Sequence, residues 1–276
     1  MNSRTLVDGS AGARIDVNDR GLLYGDGLFE TILFVDGEAP LWPRHVQRLL
    51  HGCEKLLLPK PDVVALAREA SQVVNGMPRA VVRITLTRGS GARGYAPPTI
   101  AECTRIIAAF EAPSIPPDWY ARGIRVRFAD LKLAAQPRLA GIKHLNRLEQ
   151  VLARAEWNDS EILEALLFDE DGHVICATAA NIFIARDGEL ITPPLDYCGV
   201  AGVARAEVLA RIPRAQVRAI DREELMQADE IFLVSSVRGV MPVRELPGRS
   251  LDPGPFARAV QSHWRTLGLI DAGCRK

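Results

Sequence analysis

The sequence predicts an α+β fold in two domains, and three observations favour it. Strand patterns occur in clusters with helical patterns between them, rather than in the regular alternation of a βαβ series. The length of 276 residues allows two domains of moderate size. Three prolines fall within residues 112–118, which is typical of a stiff, extended linker. We therefore expect an N-terminal α/β domain over 1–111, a proline-rich linker over 112–120 and a C-terminal α/β domain over 121–276.

The elements of the first domain follow from apolar periodicity and from turn residues. Asp36-Gly37 between two apolar runs indicates a hairpin turn, Pro43 suits the first turn of a helix, and Asn75-Gly76 ends a second helix. The expected elements are, in order, a strand at 28–35, a second apolar stretch at 39–42, helices at 43–57 and 63–74, and strands at 80–87 and 105–110.

The second domain shows short strands joined by turns and three helical patterns. Asp171-Gly172 and Asp187-Gly188 mark turns between strands. The expected elements are a strand at 124–128, a helix at 146–157, strands at 164–168, 173–176, 181–185 and 189–192, a helix at 202–210, a strand at 230–235 and a helix at 256–267.

Charge and cysteine content narrow the classes of partner. The 34 basic and 34 acidic residues balance, which disfavours a nucleic-acid binder. Five scattered cysteines without CxxC spacing predict neither a disulfide framework nor a zinc site, and the five histidines show no metal-ligand spacing, so we expect no metal. An N-terminus without an apolar core and the lack of a long apolar run predict a cytoplasmic protein that does not bind membranes. The expected partners are small molecules or a second copy of the chain.

One lysine has a sequence context that suits nucleophilic chemistry. Lys143 follows an apolar, glycine-containing approach and precedes a predicted amphipathic helix. Partial burial and cationic neighbours such as His144 and Arg147 would disfavour the ammonium form and leave a nucleophilic amine. Such an amine can form an imine with an aldehyde, although most lysines at helix starts are solvated surface residues.

Three further segments carry residues that suit an anionic cofactor. Gly199 and Gly202 precede a predicted helix, whose first backbone amides are a natural site for a phosphate. Arg48 lies on the first long helix, where it can reach the same phosphate or form a surface ion pair. The segment 24–27, Tyr-Gly-Asp-Gly, leads into the first strand.

Together these segments resemble the fold-type IV family of pyridoxal-phosphate enzymes, the class IV aminotransferases and their relatives. The resemblance runs from Asp19-Arg20-Gly21 to Met241-Pro242-Val243, and the segment 143–153, KHLNRLEQVLA, is its most specific part. Within the family this segment, and the loop 88–95 with sequence RGSGARGY, are most similar to the aminodeoxychorismate lyases. The resemblance implies the two-domain D-amino-acid aminotransferase-like architecture, a homodimer and pyridoxal 5'-phosphate as cofactor.

The resemblance also implies roles for individual residues. Lys143 matches the lysine that binds the cofactor covalently and moves protons, and Thr31 matches a threonine near the reacting carbons. The positions implied for cofactor binding, in addition to Lys143, are Arg48, Cys176, Val203, Ala204 and Ser236, and those implied for substrate binding are Arg93 and Tyr95. For Arg93 and Tyr95 a mobile glycine-rich loop is the competing interpretation.

Cys176 departs from the family pattern. Relatives usually have a glutamate five residues before the asparagine that Asn181 matches, and its carboxylate keeps the pyridine nitrogen of the cofactor protonated. A neutral thiol cannot balance a pyridinium, and the simplest interpretation of Cys176 is a small buried core residue. We expect this change to cost transamination more than a lyase reaction, which aromatisation of the product drives forward.

Three functions are compatible with these residues. The first is a 4-amino-4-deoxychorismate lyase that releases pyruvate and 4-aminobenzoate for folate biosynthesis. The second is a D-amino-acid or branched-chain aminotransferase, since the lysine and phosphate contacts are shared. The third is a catalytically impaired homologue that still binds the cofactor.

Overall fold

The computed structural model describes residues 4–270, and these form two compact units. Residues up to 113 together with 142–146 make the first unit, and residues 114–141 and 147 onward make the second. The sequence analysis placed Lys143 in the C-terminal domain, and the structure corrects this. The segment 142–146 belongs to the first unit because its backbone pairs with a strand there.

The first unit contains an antiparallel sheet of five strands in the order β2-β1-β5-β4-β3. Buried and more exposed residues alternate along much of β4, whereas β3 is buried along most of its length. Its elements are β1 (Arg4–Val7), β2 (Ser10–Ala11), α1 (Arg20–Tyr24), β3 (Gly27–Val35), α2 (Trp42–Leu56), α3 (Val63–Val74), β4 (Arg79–Thr87) and β5 (Arg105–Glu111).

Helices α2 and α3 pack on the buried face of this sheet. Gly52 of α2 lies so close to Leu28 of β3 that an added Cβ would stand 2.8 Å from its side chain. The Asp62 side chain caps α3 by accepting hydrogen bonds from the amides of Val64 and Ala65. The core of the unit therefore lies between β3, β4 and β5 on one side and the two helices on the other.

The second unit contains a nine-stranded mixed sheet in the order β11-β10-β9-β12-β13-β6-β7-β8, with β14 paired to β13. Phe183 and Phe232 stack in its core with ring centroids 5.2 Å apart. Its elements are α4 (Pro117–Ala121), β6 (Ile124–Leu133), α5 (Leu148–Ala155), β7 (Ile162–Asp169), β8 (Val174–Ala177), β9 (Asn181–Arg186), β10 (Glu189–Thr192), α6 (Val203–Arg211), β11 (Gln216–Val217), α7 (Arg222–Gln227), β12 (Glu230–Ser235), β13 (Gly239–Leu246), β14 (Arg249–Ser250) and α8 (Pro255–Thr266).

The mixture of helices and strands agrees with the expected α+β class, and several local features differ from the sequence-based prediction. The turn at Asp36 and Gly37 forms, but the second arm of the hairpin is a single bridge between Val35 and Glu38. The proline-rich segment contains helix α4, because proline is well tolerated in the first turn of a helix. The sequence analysis did not predict strand β13, which contains Pro242, or the short elements β1, β2, α1, β11 and β14.

No helix within residues 4–270 combines the length and the apolar character that a membrane span requires.

Candidate active site

Lys143 is held beside the edge strand of the first sheet. The Phe29 amide donates a hydrogen bond to the Lys143 carbonyl oxygen over 2.9 Å, and the Leu145 amide donates to the Gly27 carbonyl oxygen over 3.0 Å. These bonds make a short antiparallel ladder, in which Phe29 and Lys143 stand opposite each other. Lys143 therefore belongs structurally to β3, although more than 100 residues separate them in sequence.

The Lys143 amine packs against an aromatic ring that a second cation shares. Its Nζ atom lies 4.3 Å from the centroid of the Phe29 ring. The guanidinium carbon of Arg83 lies 4.3 Å from the same centroid. Thr31 is two residues from Phe29 and stands in register with Arg83 on β4, so all four side chains are on one face of the sheet.

The opposite face of β3 carries a buried carboxylate with two basic partners on α2. Glu30 is 1% exposed. Arg48 donates from Nε to Oε1 over 2.9 Å and from Nη2 to Oε2 over 2.6 Å. His45 Nδ1 lies 2.6 Å from Oε2 of the same carboxylate. Because His45 and Arg48 are three residues apart on a helix, they share the face that turns toward β3.

These contacts fix the ionisation of the cluster. Burial by itself would raise the pKa of the Glu30 carboxyl, but the charge and hydrogen bonds of Arg48, with a smaller contribution from His45, lower it to about 2. Burial lowers the pKa of His45, and it outweighs the opposing effect of Glu30. Glu30 is therefore an anion at neutral pH. Its two hydrogen bonds orient the Arg48 guanidinium.

The loop that carries Arg93 and Tyr95 is held by its backbone. Arg20, which is 4% exposed, donates to the carbonyl oxygens of Gly94 and Tyr95 over 3.0 Å each and to that of Ala96 over 3.3 Å. The Arg93 and Tyr95 side chains are exposed. Within the described part of the chain, Arg93 has no hydrogen-bond or ion-pair partner, so its guanidinium is available to an anionic ligand.

Asp26 connects this loop to the end of α2. Its carboxylate accepts a hydrogen bond from Arg20 Nε over 2.9 Å and two from Arg88, over 2.8 and 3.0 Å. Arg88 also donates to the carbonyl oxygens of Leu56 and Leu57. Although burial opposes it, the two guanidiniums lower the pKa of the Asp26 carboxyl. Asp26 of the Tyr-Gly-Asp-Gly segment thus links Arg20, which holds the loop, to Arg88, which binds the end of α2.

In the second unit, Val203 and Ala204 form the first turn of α6. The first amides of a helix have no acceptor within the helix and favour an anion. Gly202 precedes them, and a Cβ at this position would stand 1.9 Å from the Asn181 side-chain oxygen. Asn181 in turn donates to the Val200 carbonyl oxygen over 2.9 Å. A side chain at 202 would collide with Asn181, so glycine at this position allows the backbone of the turn to pack closely against Asn181.

Ser236 lies in the turn after β12, which a buried ion pair fixes. Arg238 in the same turn donates to the Glu164 carboxylate over 2.5 Å, and Glu164 is 1% exposed. Glu164 also accepts hydrogen bonds from the Thr178 hydroxyl and the Ala179 amide. The serine turn and the segment 178–179 are therefore held by one carboxylate.

Cys176 lies on β8 in an apolar cluster that includes Leu133, Leu167 and Cys198. Burial, with smaller contributions from Cys198 and Glu164, raises the pKa of the Cys176 thiol to about 12. The side chain is therefore a neutral thiol at neutral pH. It cannot supply the negative charge of a carboxylate.

The structure places the sequence-derived residues in both units. Lys143, Thr31, Arg48, Arg93 and Tyr95 are in the first unit, and Cys176, Val203, Ala204 and Ser236 are in the second.

Sequence reasoning missed Glu30, Arg83 and Arg20. Glu30 had one available signal, because a charged residue between Leu28 and Ile32 breaks the apolar alternation of a strand.

One further polar group was not expected from the sequence. The ligand atoms of Asp169, Asp171 and His173 lie within 4.8 Å of one another in the β7–β8 hairpin. Exposed carboxylates commonly cluster in this way without a metal, so we assign it no role.

The residues present fit a cofactor that has both a phosphate and an aldehyde. Two glycines and the first amides of α6 suit a phosphate, and Arg48 is an oriented cation. Lys143 provides a primary amine on an ordered backbone. The neutral Cys176 is the single component that departs from the expected donor set.

Comparison with known proteins adds independent evidence. The model of the class IV amino-transferase family matches residues 27–246. An aminodeoxychorismate lyase of Vibrio harveyi is 34% identical, covering 94% of this chain and 99% of that protein. The crystal structure of a 4-amino-4-deoxychorismate lyase from Pseudomonas aeruginosa is 42% identical with a TM-score of 0.91, covering 95% of this chain and 98% of the other. A putative branched-chain-amino-acid aminotransferase of Methanocaldococcus jannaschii is 31% identical, covering 87% and 85%.

Proposed function

The chain belongs to the class IV aminotransferase family, and from this premise we propose that it is a pyridoxal-phosphate-dependent 4-amino-4-deoxychorismate lyase. The enzyme eliminates pyruvate from its substrate and leaves 4-aminobenzoate, which is used in folate biosynthesis. The observation that carries the proposal is the 42% identity to the P. aeruginosa lyase over nearly the whole of both chains.

The family resemblance implies which residues hold the cofactor. Lys143 binds its aldehyde, Arg48 and the amides of Val203 and Ala204 bind its phosphate, and Ser236 adds a hydroxyl to the phosphate. Cys176 takes the sequence position of the glutamate that would pair with the pyridine nitrogen in relatives. The bound cofactor supplies a pyridine ring that accepts electrons from the carbon next to the substrate nitrogen.

The protein contributes proton transfer and positioning. With the cofactor and substrate bound, the Lys143 amine would remove the proton from the carbon that bears the substrate amine. Thr31 is on the same sheet face, where its hydroxyl orients the departing enolpyruvyl oxygen. Lys143 then returns the proton to the leaving group. Arg93 and Tyr95 bind polar groups of the substrate from the loop that Arg20 holds.

Cys176 favours this reaction over transamination. A neutral thiol opposite the pyridine nitrogen makes the ring a weaker electron acceptor. Transamination must hold and reprotonate a carbanion without a strong driving force. The lyase reaction is driven forward because its product becomes aromatic, so it tolerates the weaker acceptor.

The test is an assay of the purified protein, supplied with pyridoxal phosphate, against three sets of substrates. With aminodeoxychorismate we expect equimolar pyruvate and 4-aminobenzoate. With D-alanine, or with a branched-chain amino acid, plus a keto acid we expect little turnover. Lys143→Ala is the control, and it should abolish the release of both products. Efficient transamination without pyruvate release would instead make the protein an aminotransferase, and cofactor binding without turnover would make it an impaired homologue.

The enzyme acts as a homodimer in the cytoplasm. Helix α5 exposes Leu148, Val151 and Leu152 on one face, with exposed fractions of 74%, 59% and 59%. An apolar surface of this kind is typical of an interaction site, and a second copy covers it. The free cysteines at 53, 103, 176 and 198 suit a reducing compartment. Light scattering of the eluting protein measures its mass, and a monomer at micromolar concentration would contradict the dimer.

A further inference from the structure

We propose that Arg83 binds a carboxylate of the substrate and so forms a second anion site beside Lys143. This inference rests on the proposed function, because it assigns one subsite of the same active site. It does not follow from the residues that the sequence resemblance identified.

Arg83 lies close to Lys143 on the same face of the first sheet. Arg83 on β4 stands in register with Thr31 on β3, and Phe29 stands opposite Lys143. Both cationic groups lie 4.3 Å from the centroid of the Phe29 ring. The Arg83 guanidinium and the Lys143 amine are therefore no more than twice that distance apart, on the sheet face that α2 and α3 leave open.

Arg83 differs from several other arginines of the first unit in its charged neighbours. Four other arginines of this unit each meet a carboxylate: Arg20 and Arg88 bind Asp26, Arg48 binds Glu30, and Arg105 binds Glu69. Within the described residues, no carboxylate lies within ion-pair distance of Arg83. Its one side-chain hydrogen bond goes from Nε to the Thr85 hydroxyl over 3.3 Å. The Arg83 side chain is exposed, so an incoming anion can reach its remaining N–H groups.

The geometry of the group selects the ligand class. The guanidinium carbon lies 4.3 Å from the Phe29 ring centroid, and Nε donates to the Thr85 hydroxyl, which leaves the Nη edge of the guanidinium for other hydrogen bonds. That edge matches the two oxygens of a carboxylate. Aminodeoxychorismate has two carboxylates, one on the ring and one on the enolpyruvyl group, and its amine must reach Lys143. A cation beside Lys143 thus orients the substrate while the amine reacts.

The experiment compares Arg83→Gln and Arg83→Lys with Arg68→Gln in the cofactor-loaded enzyme. Arg68 lies on α3 with 72% of its side chain exposed, so its removal matches the change in net charge. We expect Arg83→Gln to raise KM for aminodeoxychorismate about tenfold to a hundredfold, the range for a lost hydrogen-bonded charge pair. We expect kcat to change much less, and Arg83→Lys to restore part of the loss. Arg68→Gln should leave both constants unchanged.

Calorimetry with the two products tells which carboxylate is bound and does not depend on turnover. If Arg83 binds the ring carboxylate, Arg83→Gln weakens binding of 4-aminobenzoate, and if it binds the enolpyruvyl carboxylate, binding of pyruvate weakens. The proposal is overturned if Arg83→Gln matches Arg68→Gln in KM and in both affinities, or if neither product binds the wild type. Failure of the wild type to release pyruvate would overturn the proposed function, while the affinity of Arg83→Gln for the products would still decide whether Arg83 binds carboxylates.

Discussion

Arg48 and Glu30 form a two-point ion pair between helix α2 and strand β3, with hydrogen bonds of 2.9 and 2.6 Å. The carboxylate is almost completely buried. It holds the guanidinium that we assign to the cofactor phosphate, and β3 also pairs with the Lys143 segment. One strand thus positions Arg48 on one face and Lys143 on the other.

The first prediction concerns the stability that this pair provides. Glu30→Gln removes a buried charge and leaves Arg48 without its counter-ion, so we expect the free energy of unfolding to fall by about 3 kcal/mol. Urea denaturation of the cofactor-free protein measures it. Glu54→Gln is the matched control, because it removes the carboxylate of an exposed pair with Lys60, and it should have no measurable effect. Equal effects of the two substitutions would contradict the assigned role of Glu30.

The second prediction concerns pH. The pKa of the Glu30 carboxyl is lowered from the ordinary value of 4.5 to about 2 in the folded protein. The unfolded chain therefore takes up this proton first as the pH falls. The Glu30 contribution to stability is complete above about pH 4.5 and is lost as the pH falls toward 2.

Urea denaturation at several pH values between about 6 and 3 tests this prediction. The wild type should lose more stability over this range than Glu30→Gln, in which the titrating group is absent. Parallel pH profiles of the two proteins would show that Glu30 is not the group responsible.

Much of the site could be predicted from sequence because its residues lie in short motifs. The segment 143–153 and the glycines at 199 and 202 are local features. The Glu30 network is different, since it joins a strand and a helix 15 to 18 residues apart. Only the packing of α2 on β3 brings those side chains together.

The unit to which Lys143 belongs also depends on a contact between segments that are distant in sequence. Apolar periodicity found helices α2, α3 and α8 to within two residues, since each has a continuous buried stripe. It could not reveal that the segment 142–146 pairs with β3, because such pairing between distant segments leaves no local pattern. Arg83 was missed for a related reason: its significance depends on the register between β3 and β4.

The third prediction concerns Cys176. Replacing its neutral thiol with an acid in Cys176→Glu should strengthen the electron-accepting ring, and transamination should gain more from this than lyase turnover. Parallel assays with D-alanine plus a keto acid and with aminodeoxychorismate measure the ratio. Cys198→Ser, a change at a neighbouring buried thiol, is the control and should leave the ratio unchanged. A rise in lyase turnover far above any rise in transamination would refute the argument.

The fourth prediction concerns the substrate loop. Arg20→Lys keeps a positive charge but loses the fork that binds three carbonyl oxygens and Asp26. We expect amide hydrogen exchange in residues 93–96 to increase by about tenfold or more, and KM for aminodeoxychorismate to rise.

The matched control for this loop is Arg105→Lys, which weakens a buried pair with Glu69 in the same unit. It should leave exchange in residues 93–96 at the wild-type rate. If both variants loosen the loop equally, the effect is a general loss of stability and Arg20 has no specific role there.

The most direct test of the central claim is to identify the lysine that binds the cofactor. The purified protein, incubated with pyridoxal phosphate, is reduced with borohydride, digested and mapped by mass spectrometry. We predict one pyridoxyl adduct, on the peptide that contains Lys143, and none in Lys143→Ala. An adduct confined to another lysine, or no adduct in the wild type, would contradict the account.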